Sequence, residues 1–253
     1  PGEPGVTYIM GAGFAQPLAE GTPQATGLAD LRARARTRNV DLIARINPHV
    51  PEIAIDYERD VLPLTPSGNA TERHIIRAYL IRTRTVFGSP REAAGYLAPL
   101  LRLDVDETLA RMAHASDMEE RLRARLAKRG GVGYEQPSET TFPTVDAFID
   151  WVTSCRAIPM ITWLDGTSEG EKDAAALLDV LVAKGAAALN IIPDRNWNVA
   201  DPEKARLKRD HLRRIVEAAD RMELPINIGT EMNRDGLPFA DDLDGEVLRA
   251  YRP

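Results

Sequence analysis

Pro225-Ile-Asn-Ile-Gly-Thr-Glu-Met-Asn233 reads as a short apolar strand that runs into a glycine-marked turn and delivers a carboxylate, Glu231, and an amide, Asn233, two residues apart. In folds that alternate strands with helices, chemistry collects at the carboxyl ends of the strands. Polar residues placed straight after such a strand are therefore candidates for function. The competing reading of the same residues is a helix-capping turn.

Working outward from that strand, the second half of the chain alternates regularly. Phe142-Pro143-Thr144 starts a helix with Val145, Phe148, Ile149 and Val152 on one face. Ile158 to Leu164 reads as a strand, Ser168 as the cap of a helix through Lys184, and Gly185 as its end. Ala187 to Ile192 is the next strand. The helix from Asp201 to Met222 carries Leu207, Leu212, Ile215, Val216, Ala219 and Met222 in one stripe, which makes its many basic residues a solvated face. A short helix from Asp242 to Tyr251 closes the chain.

The first half departs from this rhythm. Val6 to Met10 and Glu52 to Asp56 read as strands around a helix from Leu28 to Ile46, and a further helix runs from near Thr71 to Phe87. Ser89 to Arg129 is wholly helical, with breaks near Leu103-Asp104 and Ala115-Ser116, and Gly131 to Tyr134 is a short strand. With no long linker on either side, about 89–129 reads as a helical insertion in one domain spanning 1–253.

Composition bounds the function. An apolar fraction of 43% with 28% charged residues is ordinary for a globular chain with one substantial core. A net charge of -6 argues against a general nucleic-acid binder, so no nucleic-acid partner is expected. Cys155 is the one cysteine, so no intrachain disulfide forms, which suits a reducing, cytoplasmic location. No run reaches the roughly 18 apolar residues of a membrane span. The chain opens on Pro1 without an initiator methionine, so residues are expected either to precede it in the gene or to have been lost from it.

Four turns after strands are dense in polar residues: Asp56-Tyr-Glu-Arg-Asp60 with Thr71-Glu-Arg-His74, Trp163 to Glu169, Pro193 to Asn198, and Gly229 to Asp235. A carboxylate buried without partners is costly, so acids repeated at strand ends require paired cations or a metal. Arg59, Arg73, Arg195 and Arg234 supply the first. Glu58, His74 and Glu231 supply a ligand set for the second, with Asn233 adding a carbonyl oxygen or only a hydrogen bond. The remaining histidines read as packing or surface residues, His114 and His211 on helices and His49 at a helix end. Gly11-Ala-Gly13 lacks the third glycine and acidic residue of a dinucleotide fingerprint.

The order of these pieces resembles the polymerase-and-histidinol-phosphatase (PHP) superfamily of metal-dependent phosphoesterases. The resemblance lies in Asp56-Tyr-Glu58 followed by His74, in Cys155-Arg-Ala-Ile-Pro-Met-Ile-Thr-Trp163, in Lys184-Gly-Ala-Ala-Ala-Leu-Asn-Ile191, and in Glu223 to Asn233. It implies an α/β fold, a distorted seven-stranded (β/α)7 TIM-like barrel with up to three divalent ions (Zn, Mn or Fe) at its mouth. Glu58 would match the family's glutamate ligand, His74 the histidine after it, and Glu231 with Asn233 its terminal aspartate-x-histidine pair. This chain departs at Trp163 and Asn233, where the family places histidines, and it lacks the opening histidine-x-histidine motif. An indole has no lone pair to offer a metal, and an amide binds one weakly through oxygen.

Two functions follow. The first is a metal-dependent hydrolase of a phosphate ester, with Glu58 and Glu231 catalytic, and Arg195 or Arg234 holding an anionic small-molecule substrate. The second is a noncatalytic barrel whose mouth, with Trp163, Asn196, Trp197 and Asn198, binds a small polar or sugar-like ligand.

Overall fold

A computed structural model describes residues 5–231, 239–240 and 246–249. The chain divides into two compact units, Leu28–Phe142 and the combination of Pro1–Gly27 with Pro143–Pro253. In order, the elements are β1 (Ile9–Ala12), α1 (Pro23–Ile46), α2 (Glu72–Val86), α3 (Pro90–Leu101), α4 (Val105–Met112), α5 (Ala115–Leu126), α6 (Val145–Ser154), β2 (Ile158–Thr162), α7 (Ala174–Ala183), β3 (Ala188–Ile191), α8 (Asp194–Trp197), α9 (Pro202–Arg221), β4 (Ile226–Ile228) and α10 (Glu246–Arg249).

The barrel is not formed. Among the described residues the strands make one open four-stranded sheet in the order β1-β2-β3-β4, accompanied by ten helices. β1 runs antiparallel to β2, whereas β2, β3 and β4 are parallel. Two expected strands are absent because their backbone groups are satisfied elsewhere. At 52–56, the Ile55 backbone pairs with the side-chain amide of Asn47, which donates to Ile55 O at 2.9 Å and accepts from Ile55 N at 3.1 Å. At 131–134, the amides of Val132 and Gly133 donate to the carbonyls of Arg125 and Leu126 and close the end of α5. A segment whose hydrogen bonds cap a helix has none left for a ladder.

The Leu28–Phe142 unit is helical. The expected 89–129 stretch comprises α3, α4 and α5, and its breaks are local. Arg102 adopts a left-handed φ of 59° after α3, and the Asp104 carboxylate accepts from Glu107 N at 2.7 Å to start α4. Ile46, Ile53, Ile75, Ile76, Tyr79, Leu97, Leu122 and Leu126 are fully buried in its core.

In the sheet unit, β3 is buried along its whole length, as expected of an inner parallel strand. Ile161, Leu178, Leu189, Ile191, Leu212 and Ile215 form the core where α7 and α9 pack beside the sheet. Two sequence expectations shift here. The cap of α7 is Asp173, accepting from Ala176 N at 3.0 Å, while Ser168 closes a separate turn through its carbonyl. Leu207, expected in the apolar stripe of α9, is half exposed. No described helix is long and apolar enough to cross a membrane.

Leu122 is fully buried among the helices of its unit. Leu122→Ala should lower stability by about 2–5 kcal/mol through the lost transfer energy and the cavity left behind. Denaturant unfolding followed by far-ultraviolet circular dichroism measures the loss.

Candidate functional site

The three parallel strands end in three polar loops, and tertiary hydrogen bonds join these to one another. After β2, the Asp165 side chain is almost fully buried. Its Oδ1 accepts from the Thr167 hydroxyl at 2.6 Å and amide at 3.1 Å, and its Oδ2 accepts from Lys208 Nζ at 2.8 Å. Burial pushes the carboxyl pKa up, but the hydrogen bonds from Lys208 and Thr167 outweigh it and hold the group below the usual carboxylate range. Glu171 is also buried, and its carboxylate accepts from the backbone amides of Leu164, Asp165 and Gly166.

Gly166 sits at φ +73°, and a Cβ there would lie 2.7–2.8 Å from the Cβ, Cγ and Nδ1 of His211, so the turn admits only glycine. The His211 ring nitrogen lies 3.3 Å from Asp165 O. α9 thereby carries two side chains, Lys208 and His211, onto the β2 loop. The same lysine reaches the loop after β3, where its Nζ lies 3.4 Å from Arg195 O and its carbonyl accepts from Asn196 Nδ2 at 3.0 Å.

The strands carry polar groups of their own. Asn190 on β3 is buried and accepts from Asn227 Nδ2 on β4 at 2.7 Å. Gly229 follows directly, and a Cβ at that position would come within 2.9 Å of Asn190 Oδ1. The chain then reaches Glu231, whose Oε2 accepts from Arg195 Nη1 at 2.6 Å, each side chain about one-third exposed (32% and 31%). Four buried polar atoms, Trp163 Nε1, Ser168 Oγ, Arg195 Nε and Asn196 Oδ1, have no hydrogen-bond partner among the described residues, and all four lie in the loops after β2 and β3.

Arg195 and Glu231, expected at one strand-end mouth, are thus brought together. Asn196 is fully buried, Asn198 is exposed, and Trp197 is half-buried with its Nε1 donating to Asp194 Oδ1 at 3.1 Å. Trp163 is 1% exposed, so its indole belongs to the core rather than to a stacking surface. Asn233 and Arg234 lie outside the described residues.

Glu58 and His74 belong to the Leu28–Phe142 unit, and each has a local partner. Glu58 lies in a π turn, Tyr57–Val61, exposed and paired with Arg36. His74 occupies the third position of α2, where its Nδ1 accepts from Thr71 N at 3.1 Å with the Thr71 hydroxyl 2.9 Å away. This is a capping box with imidazole in the place of the usual carboxylate or amide. Among the described residues no three His, Cys, Asp or Glu side chains gather as a group able to hold a metal ion, so those residues do not by themselves fit the expected divalent site.

Sequence reading missed Glu171, Lys208, Asn190 and Asn227. The asparagines carried a usable signal, since each interrupts an apolar strand with an amide. Lys208 carried none: on α9 it stands among Arg206, Arg209 and Arg213, and nothing local distinguishes it from them.

Burial lowers the His74 pKa, and the nearby Arg77 lowers it further against the opposing pull of Glu119. The neutral ring is the form that caps α2. The stabilisation is therefore complete above the ordinary histidine range and is lost as pH falls through the depressed folded value. His74→Ala should cost about 1 kcal/mol near pH 7.5 and less near about pH 5. Denaturant unfolding of both chains at the two pH values checks the expectation.

Compared with protein-family models, curated proteins and solved structures, the chain matches none.

Proposed function

We propose that the chain binds a small anionic molecule, bearing a phosphate or a carboxylate, at the carboxyl ends of β2, β3 and β4. The observation that carries this reading is the Arg195 guanidinium. It reaches the strand-end rim, already holds one carboxylate through Nη1, and keeps a buried Nε with no partner among the described residues. A guanidinium presents its donors as a planar fork suited to two-point contact with carboxylate or phosphate. Crevices outside the carboxyl ends of parallel strands are where open α/β sheets take ligands. The resemblance to the PHP superfamily points the same way, since a phosphate ester is such an anion, and the lone Cys155 suits a cytoplasmic setting.

Titration with inorganic phosphate tests the proposal. Arg195→Ala should weaken binding by about ten- to hundredfold, the loss of one or two charge-assisted hydrogen bonds. Unchanged affinity would remove Arg195 from the site and end this reading.

Metal-dependent hydrolysis of a phosphate ester is the second reading. It would rest on Glu231, the carboxylate at the end of β4, whose Oε2 Arg195 already holds. Protein purified without chelator should then contain stoichiometric metal and turn over p-nitrophenyl phosphate, and Glu231→Gln should lose both. Full metal content in that variant would leave binding without catalysis as the better account.

A further inference from the structure

Arg195 is met by the chemistry that a ligand would bring. Glu231 Oε2 lies 2.6 Å from Nη1, at hydrogen-bond distance, while the Nε donor of the same guanidinium stays unpartnered among the described residues. Glu231 therefore holds a donor, Nη1, that an anion in end-on two-point contact with the guanidinium would need. Both side chains are about one-third exposed (32% and 31%), so water weakens their attraction, and a pair of this kind is readily exchanged. Arg195 is also anchored independently of Glu231. Its carbonyl lies 3.4 Å from Lys208 Nζ, and the next residue, Asn196, is buried and donates to Lys208 O. Release of the carboxylate would leave the backbone beneath the guanidinium in place.

We infer that Glu231 is an internal competitor for the anion subsite: without ligand its carboxylate holds Arg195, and an arriving phosphate or carboxylate displaces it. The inference rests on the anion-binding role of Arg195 and adds regulation of that site. The affinity for an anion is set by a group of the protein itself, and any cation that draws Glu231 away from Arg195 opens the subsite. Glu231 then serves to raise the ligand concentration at which Arg195 is occupied.

The test is a titration with inorganic phosphate, read by the fluorescence of Trp197 two residues from Arg195, on the whole chain and three variants. Glu231→Gln keeps the shape and removes the charge, and it should tighten phosphate binding about two- to tenfold. Arg195→Ala should weaken it. In the Arg195→Ala background, Glu231→Gln should change nothing, because the competition acts through that one guanidinium.

Equal tightening with and without Arg195 would mean simple relief of charge repulsion and would overturn the inference. So would a Glu231→Gln chain that binds no more tightly than the parent while Arg195→Ala still weakens binding, an outcome that leaves the anion site standing. Loss of the site itself has a different signature: phosphate affinity insensitive to Arg195→Ala, or no binding by parent and Glu231→Gln alike.

Discussion

A carboxylate taken out of water has to be given partners, and Asp165 is the point at which the sheet unit meets that requirement. Its two oxygens are divided between a turn and a helix: Thr167 closes the β2 loop on one, and Lys208 of α9 reaches the other. Losing Lys208 would leave a largely buried charge uncompensated, which is among the more costly defects a protein can carry. Lys208 therefore has little freedom, and through its Nζ and its carbonyl the loop after β3 is held as well. Glu171 performs the complementary task for the backbone, accepting from three successive amides that the tight turn at Gly166 would otherwise leave unpaired.

That rigidity gives the Arg195–Glu231 pair its meaning. Arg195 stands on α8, which is tied to α9, whereas Glu231 approaches from β4, an edge strand whose Asn227 and Ile228 are exposed. The β3–β4 junction is shaped by the Asn190–Asn227 amide pair and the close approach of Gly229 to it. A cation on a fixed platform, faced by a partly solvated carboxylate, is suited to exchanging one anion for another. It is less suited to adding stability, since exposed pairs contribute about 0–1 kcal/mol.

The helical unit follows different rules. Its core is largely apolar, and several of its polar groups end helices. Asp104 opens α4, the Thr71 and His74 pair opens α2, and the amides of Val132 and Gly133 close α5. Glu58 and His74, which the sequence offers as metal ligands, take part in this local accounting through Arg36 and Thr71. A carboxylate or imidazole near a helix start has two physical readings, ligand or cap, and spacing alone does not separate them.

By itself the sequence determined the longer helices and the three parallel strands, but not α8 or the start of α7, because apolar periodicity and glycine punctuation are local properties. It also marked the loops after Trp163, Pro193 and Gly229 as the polar rim. Tertiary structure alone decided that the sheet is open and not a barrel, since the fate of the backbone at 52–56 and 131–134 depends on Asn47 and the end of α5. It alone selected Lys208 from the basic residues of α9 and set Arg195 against Glu231, 36 positions away. Local pattern is written in neighbouring residues, but the partner of a buried charge or an unpaired amide is chosen in space, where sequence distance has no bearing.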